Sequence, residues 1–537
     1  MSIRFTRPAV AVFVLILSAA ARAQVPSPTI EGPITSPGSA FVASTAFDLA
    51  SVGYEQAEYF ISGTASAFTN TAPLGDNGMW SVAPGETAAY KTRLLVYRPT
   101  DPKKFNGTVI VEWLNVSGGV DAAPDWTQGH VELLREGVAW VGVSAQIVGV
   151  EGGPALVGIV SLPLKVVNPV RYASLHHPGD SFSYDMFSQA GQAIRTPSGP
   201  SPLGALEVKH VIAVGESQSA FRMVNYVNAM HPLAHVYDGF LVHSRGSFAT
   251  PLSEPPQPAI GAPGTTAIRA DVDVPVLTFE TETDLTFLAY FRARQDDAKN
   301  FRLWEVAGTA HYDTYGLGVA NTDVGTSPDV AALVVTTDAV PGIIRCDTPI
   351  NSGPQHFVVN AALNTLIHWV RTGKAPKSAP RLDVSAGPPV AINHDANGNA
   401  LGGIRTPQVD VPIATFTGEQ DGSILCRLFG TTTPFGDATL ASLYPTHKAF
   451  VSKYNKALKR AVKKGWIVEA DATLIKKWAA GSNIGGRGGR PARSLRAHAL
   501  GGRASHVRRR ALHLLVRRNA AVATTIVVQS DGGRARG

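Results

Sequence analysis

The chain has 537 residues, 44% of them hydrophobic, which allows one large enzyme core with appendages or two modest domains. Its net charge of +7 is local: residues 482–537 hold twelve Arg, no Lys and one Asp, giving +11, and residues 1–23 add three Arg. Removing those two ends from the total leaves residues 24–481 at −7, so the basic balance does not mark the body as a nucleic-acid binder.

In chain order, the first 23 residues read as a secretory signal. Arg4 and Arg7 form a basic start, Ala9–Leu17 a short apolar run, and Ala21-Arg22-Ala23 a small-residue cleavage site, so the mature chain would begin near Gln24. No later stretch reaches about 18 uninterrupted apolar residues, so export to the periplasm or medium without a membrane span is expected. Residues 24–45 are a Pro/Ser/Gly-rich lead-in. Tyr54–Phe68 and Lys91–Arg98 alternate as half-exposed strands do, and Thr108–Leu114 is the near-continuous apolar run of a buried parallel strand.

Strand and helix then alternate. Helices are predicted at Asp125–Glu136, Tyr184–Arg195, Gln218–Met230, Phe287–Lys299 and Phe357–Arg371, and strands at Val138–Ser144, Val208–Val214, Val236–Val242, Val274–Phe279 and Arg302–Val306. Eight strands with crossover helices describe an α/β fold: a mostly parallel sheet covered by helices on both faces. Residues 24–380 would form this core, with insertions at 146–183 and 246–273 beyond the carboxyl ends of strands, where such sheets bind ligands. Residues 381–481 read as a C-terminal extension packed on the core and ending in helical sequence. The Arg/Gly-rich tail 482–537, poor in acids and aromatics, reads as disordered.

The chemistry centres on Gly215-Glu216-Ser217-Gln218-Ser219, set between a strand and a helix as a nucleophile elbow requires. So tight a turn needs small residues two positions either side of the serine. Gly215 meets this, and Ser219 stands where the strict motif has a second Gly. The order serine, acid, histidine supplies a second test. Glu280, Glu282 and Asp284 follow the Val274–Phe279 strand, and one helix–strand unit later comes Gly308-Thr309-Ala310-His311. We read Ser217 as nucleophile, His311 as general base and Asp284 as the orienting acid, with Glu282 as the alternative acid. The backbone N–H of Gln218 and that of Asn115 or Val116 are the candidate oxyanion donors. The loop Asn115–Gly119 serves equally well as a plain glycine turn.

The stretches Val111–Gly119, Ser174–Asp180, Gly215–Ser219, Glu305–His311 and Gly402–Pro407 together resemble the alpha/beta hydrolase domain family of often exported bacterial proteins. The resemblance spans residues 100–410, and more weakly 30–480. It implies an α/β-hydrolase fold and hydrolase class, and no substrate; the arginine-rich tail departs from the family pattern. The function so expected is that of a serine hydrolase acting on a small-molecule carboxylic ester, with neither metal nor organic cofactor and no nucleic-acid partner. A peptidase, thioesterase or acyltransferase on the same fold, or a non-catalytic binding module, are the alternatives. Oligomeric state is not legible.

The remaining motifs are blander. Asp395–Asn399 imitates the opening of a calcium loop, yet Ala400 and Thr406 stand where that loop needs Gly and Glu, so a turn built on Asn-Gly is expected. His231 and His235 are four apart, but Pro232 between them argues for a loop, so no metal site is expected there. His176-His177 would line the first insertion or lie exposed, and Asn106-Gly107-Thr108 is a glycosylation sequon of consequence only in a eukaryotic secretory pathway. Cys346 and Cys426, the only cysteines, are expected to form a disulfide that staples the extension to the sheet, remote from the triad; two buried thiols are the alternative.

Overall fold

The computed structural model describes residues 25–486 except 158–160, 333–336, 341–343 and 386. Residues 1–23, read above as a signal, and the tail from 487 lie outside the described residues.

Among the described residues nine strands form one sheet in the order β1-β2-β3-β5-β4-β6-β7-β8-β9. They are β1 (Thr29–Glu31), β2 (Tyr54–Asn70), β3 (Val82–Pro99), β4 (Thr108–Trp113), β5 (Ala139–Val143), β6 (His210–Glu216), β7 (Gly239–His243), β8 (Val276–Thr281) and β9 (Phe301–Val306). The pairings β1–β2, β2–β3 and β3–β5 are antiparallel, and from β5 through β9 all are parallel. Eight of these strands match the expected ones; the ninth, β1, is a short edge strand drawn from the lead-in.

The apolar runs of the parallel strands follow from burial on both faces. Val109 and Val111, Val211 and Ala213, and Phe240 and Val242 join one core, with the helices Ser183–Arg195 and Gln218–Asn225. The intervening Ile110, Ile212, Val214 and Leu241 join a second core on the opposite face, with Pro124–Glu136 and Gln355–Thr372. Each buried Val, Leu, Ile or Phe contributes about 1.5–3 kcal/mol. The helix Pro124–Glu136 starts where its sequence provides an anchor: Glu112 on β4 accepts the N–H of Asp125 and of Trp126, both at 2.9 Å, and Nε1–H of Trp140 at 2.8 Å. It stops at Gly137, whose φ of 65° lies in the left-handed region that glycine adopts without strain.

The helix expected over Phe287–Lys299 does not form; the segment holds one 3-10 turn, Tyr290–Ala293. Polar side chains captured from elsewhere take its place. Arg294 grips Glu305 on β9 at 2.7 and 2.8 Å, Gln295 pairs with both the N–H and the carbonyl of Ile268, and Asp297 accepts from Leu303 N–H and Arg381.

The C-terminal extension closes the open edge of the sheet. Ile404 bridges Val306 on β9, donating to the Glu305 carbonyl at 2.7 Å and accepting from Ala307 at 3.1 Å, which covers unpaired edge groups. Asp395–Asn399 is a turn, with Gly398 at φ 77° and the Asp395 carboxylate held by Arg405 at 2.8 Å. The helices His447–Lys464 and Glu469–Gly481 pack Phe450, Tyr454, Ala461 and Ile475 against Tyr315 and Phe357 of the core. Cys346 and Cys426 are joined in a disulfide, with Cα atoms 5.6 Å apart across 80 residues of sequence.

Candidate active site

The strand β6 runs straight into the elbow. Ser217 sits at φ 57°, ψ −122°, a strained conformation for a residue with a side chain, and the helix Gln218–Asn225 begins at the next residue. Gly215 is demanded by space: a Cβ there would lie 3.0 Å from the carbonyl carbon and oxygen of Ser219 and 3.2 Å from its Cβ. The Ser217 N–H is tied to the His243 carbonyl at the end of β7, at 2.9 Å, so the turn is anchored to the sheet.

Two loops at the same end of the sheet bring the other groups. After β8, Thr281 caps the short helix Glu282–Thr286, and its N–H and hydroxyl each donate to Asp284 Oδ2 at 2.7 Å. The remaining oxygen, Oδ1, faces His311 Nδ1 at 2.6 Å, and His311 Nε2 faces Ser217 Oγ at 2.7 Å. His311 is further fixed by its N–H on Thr283 Oγ1 at 3.2 Å. The result is an unbroken chain from hydroxyl through imidazole to a carboxylate whose second oxygen is already satisfied.

Glu282, the alternative acid, points elsewhere. Its oxygens accept the backbone N–H of Gly308 at 2.6 Å and of Gly418 at 2.9 Å, joining the loop before His311 to the extension. Burial pushes its pKa up to about 7 in spite of those two donors. Glu280, the third acid of the segment, is buried with neither oxygen hydrogen-bonded among the described residues, and burial followed by Asp284 raises it well above the carboxylate range.

The oxyanion candidates separate. The Asn115 N–H is committed to the Ala122 carbonyl at 2.9 Å, because Asn115 and Ala122 close a small hairpin with bonds in both directions, so it has no free donor to offer. That expectation is corrected. Among the described residues no acceptor meets the N–H of Val116 or of Gln218. Gln218 is oriented through its side chain, whose Oε1 accepts from Gln146 Nε2 at 2.9 Å across the loop after β5.

Sequence reasoning passed over Glu216, the variable residue of the elbow motif. Its buried carboxyl lies with Oε1 3.6 Å from His311 Nε2, while Asn115 Nδ2 donates to its backbone carbonyl at 3.1 Å and approaches Oε2 at 3.4 Å. Burial, then Asp125, Asp284 and Glu112, push this carboxyl well above the usual carboxylate range. A carboxylic acid at the apolar end of a buried strand was the available signal. A second buried pair lies behind the elbow: His243 Nδ1 faces Asp125 Oδ1 at 2.8 Å. His177 is buried, with Nε2 on the Ala145 carbonyl at 2.9 Å, whereas His176 is exposed.

Solved structures to which the chain is similar include a ferulic-acid-bound Est1E from Butyrivibrio proteoclasticus, with 11% identity over 43% of this chain and 92% of that one, at a TM-score of 0.26. XC6422 from Xanthomonas campestris, described as an a/b serine hydrolase without lid, has 12% identity over 46% and 86%, with a TM-score of 0.26. A putative dienelactone hydrolase from Klebsiella pneumoniae has 12% identity over 46% and 85%, with a TM-score of 0.23. No curated protein matches the sequence. The alpha/beta hydrolase domain, in contrast, matches residues 26–477, a span that takes in the elbow, both loops and most of the extension. The chain belongs to the alpha/beta hydrolase domain family.

Proposed function

We propose that this chain is a serine hydrolase acting on carboxylic esters. Ser217 Oγ attacks the acyl carbon while its proton passes to His311 Nε2, and Asp284 keeps the imidazole in the tautomer that can accept it. Charge that develops on the acyl oxygen meets the N–H groups of Gln218 and Val116, at the start of a helix whose dipole favours an anion. Collapse breaks the ester C–O bond, and His311 returns the proton to the departing alkoxide. Water, activated in its turn by His311, then attacks the acyl-serine and releases the acid with free Ser217.

The observation that carries this reading is the continuous chain of contacts, Ser217 Oγ to His311 Nε2 at 2.7 Å and His311 Nδ1 to Asp284 Oδ1 at 2.6 Å. We further place the reaction outside the cytoplasm, on the signal-like sequence at 1–23 and a disulfide of the kind that persists in oxidising compartments.

Labelling with a fluorophosphonate probe, alongside turnover of p-nitrophenyl acetate, tests the assignment. The full chain is expected to label and to hydrolyse the ester, and Ser217→Ala to do neither while keeping its circular-dichroism spectrum. Undiminished turnover by Ser217→Ala would remove Ser217 from the mechanism. A wild-type chain that neither labels nor turns over esters would instead be a binding module on a hydrolase fold.

A further inference from the structure

A second group of chemistry-bearing side chains lies beyond the nucleophile helix. His231 and His235 are four residues apart, and Pro232 between them predicted a loop. The helical path nevertheless continues: a π turn over Tyr226–Met230 leads into the helix His231–Ala234, with Pro232 in its first turn. A proline there gives up an N–H that the first turn does not use, so the helix tolerates it. His235 ends the helix at φ 47°, in the left-handed region, and its ring centroid lies 5.0 Å from that of His231.

Asp273, in the segment leading into β8, meets both rings. Its Oδ1 is 2.7 Å from His231 Nε2 and its Oδ2 is 3.5 Å from His235 Nδ1. One ligand atom from each residue lies within 4.8 Å of the other two, and among the described residues no other trio of His, Cys, Asp or Glu does so. We propose that His231, His235 and Asp273 bind a divalent transition-metal ion, zinc fitting best. Two imidazoles and one carboxylate, drawn from two segments, supply three ligands of the types zinc takes, and water completes a tetrahedron.

The surroundings suit a cation. The side chain of Asp273 is 53% exposed, free to swing by the ångström or so that an ion between the ligands needs, and it lines a surface cavity of about 580 Å³. Arg269, the neighbouring cation, is engaged by Asp271 at 2.6 and 3.0 Å. One feature limits affinity: His231 Nδ1 is buried with no hydrogen-bond partner among the described residues. A ligating histidine lacking an outer-shell acceptor gives up about 10–100-fold in affinity, which points to a site of roughly micromolar strength.

The trio precedes β7 and β8, at their amino ends, whereas Ser217 follows the carboxyl end of β6. The ion would therefore clip the end of the nucleophile helix to the entry of β8 and take no part in acyl transfer. The proposal is independent of the esterase reading.

Titration calorimetry of the chelator-stripped full chain with zinc, with cobalt as a spectroscopic substitute, tests it. One equivalent is expected to bind at about micromolar concentration, with a zinc-dependent rise in Tm and tetrahedral cobalt absorption. His235→Ala and Asp273→Ala, on the more exposed ligands, are expected to remain folded and to lose both signals. No binding by the wild-type chain at about 100 μM zinc, far above that strength, would overturn the site and leave a His–Asp hydrogen bond only. Undiminished binding by His235→Ala and Asp273→Ala would overturn it equally, by placing the ion elsewhere.

Discussion

The parallel sheet and the C-terminal extension solve the same problem, holding loops in place, by different means. Strands β4 and β6 to β9 are buried on both faces, and their order is set by apolar packing repeated at every second residue. The extension is held in two ways: its helices pack apolar side chains against Tyr315 and Phe357, and its loops are fastened by long-range polar ties. Gly418 binds Glu282 through its N–H and Thr283 through its carbonyl, the latter at 2.7 Å. The Leu428 carbonyl accepts from Tyr312, next to His311, at 3.4 Å, and Arg427 lies 3.9 Å over the Phe287 ring. The sheet thus sets where Ser217, Asp284 and His311 project, and the extension backs the two loops that carry Asp284 and His311. Placement comes from one region and restraint from the other.

That division is broken most directly at the two acids. Asp284 belongs to the placed group and Glu282 to the tie. Asp284→Asn is expected to lower kcat by about 10⁴, because the amide favours the wrong imidazole tautomer. Glu282→Gln, which still has one acceptor for Gly308 or Gly418, should lower it by less than about 10-fold, the 10²–10⁴ range of a lost acid–base group being far above that. Steady-state kinetics on p-nitrophenyl acetate decide the matter. The reverse ranking would transfer the orienting role to Glu282 and abolish the distinction between the regions.

The disulfide sharpens the comparison from the other side. The sequence reading set both cysteines apart from the triad, but Cys426 lies in the helix Ile424–Phe429, whose Leu428 contacts the residue after His311. Paired Cys346→Ser and Cys426→Ser substitutions remove a link across 80 residues and are expected to cost about 2–5 kcal/mol of stability. Below the new Tm, kcat should fall only a few-fold, since the loops keep their hydrogen bonds to the sheet. Urea denaturation with parallel kinetics measures both. A stability change within error would show that the polar ties and the apolar helix packing hold the extension without the disulfide.

How much of this was legible follows the same line. Runs such as Val109–Val111 and Val211–Val214 announce strands because burial on both faces leaves no polar positions, and Gly215 announces the elbow because a Cβ would meet Ser219. The order Ser217, acid, His311 follows the chain order of β6, β8 and β9, at whose carboxyl ends the three lie. Partners distant in sequence were not readable. Glu282 is drawn off by residues 308 and 418, the Asn115 N–H by Ala122, and the segment 287–299 loses its helix to Glu305, Ile268 and Arg381. Asp273 beside His231 and His235 is the same case, a contact 42 residues away that no local pattern announces.

The smallest effect concerns the cost of the tie itself. Glu282 is fully buried, and its pKa rises to about 7 in the folded chain. In the unfolded chain a glutamate titrates near ~4.3. Between these values the folded state holds a proton that the unfolded state has released, so stability is complete below about pH 4.3 and is lost as pH rises through about 7. The slope is at most about 1.4 kcal/mol per pH unit, and structural relaxation reduces the total to about 1–3 kcal/mol. Asp313, raised to about 6 chiefly by burial, adds a contribution of the same sign. Glutamine does not ionise, so Glu282→Gln should be less stable than wild type near pH 5, where it has lost one backbone acceptor, and should close the gap by pH 7.5. Urea-unfolding free energies of both proteins at the two pH values isolate the Glu282 part by subtraction, since Asp313 is common to both. Curves that stay parallel between those values would mean that the Gly308 and Gly418 N–H groups keep Glu282 ionised, and that the tie is an anion held by two amides instead of a neutral acid.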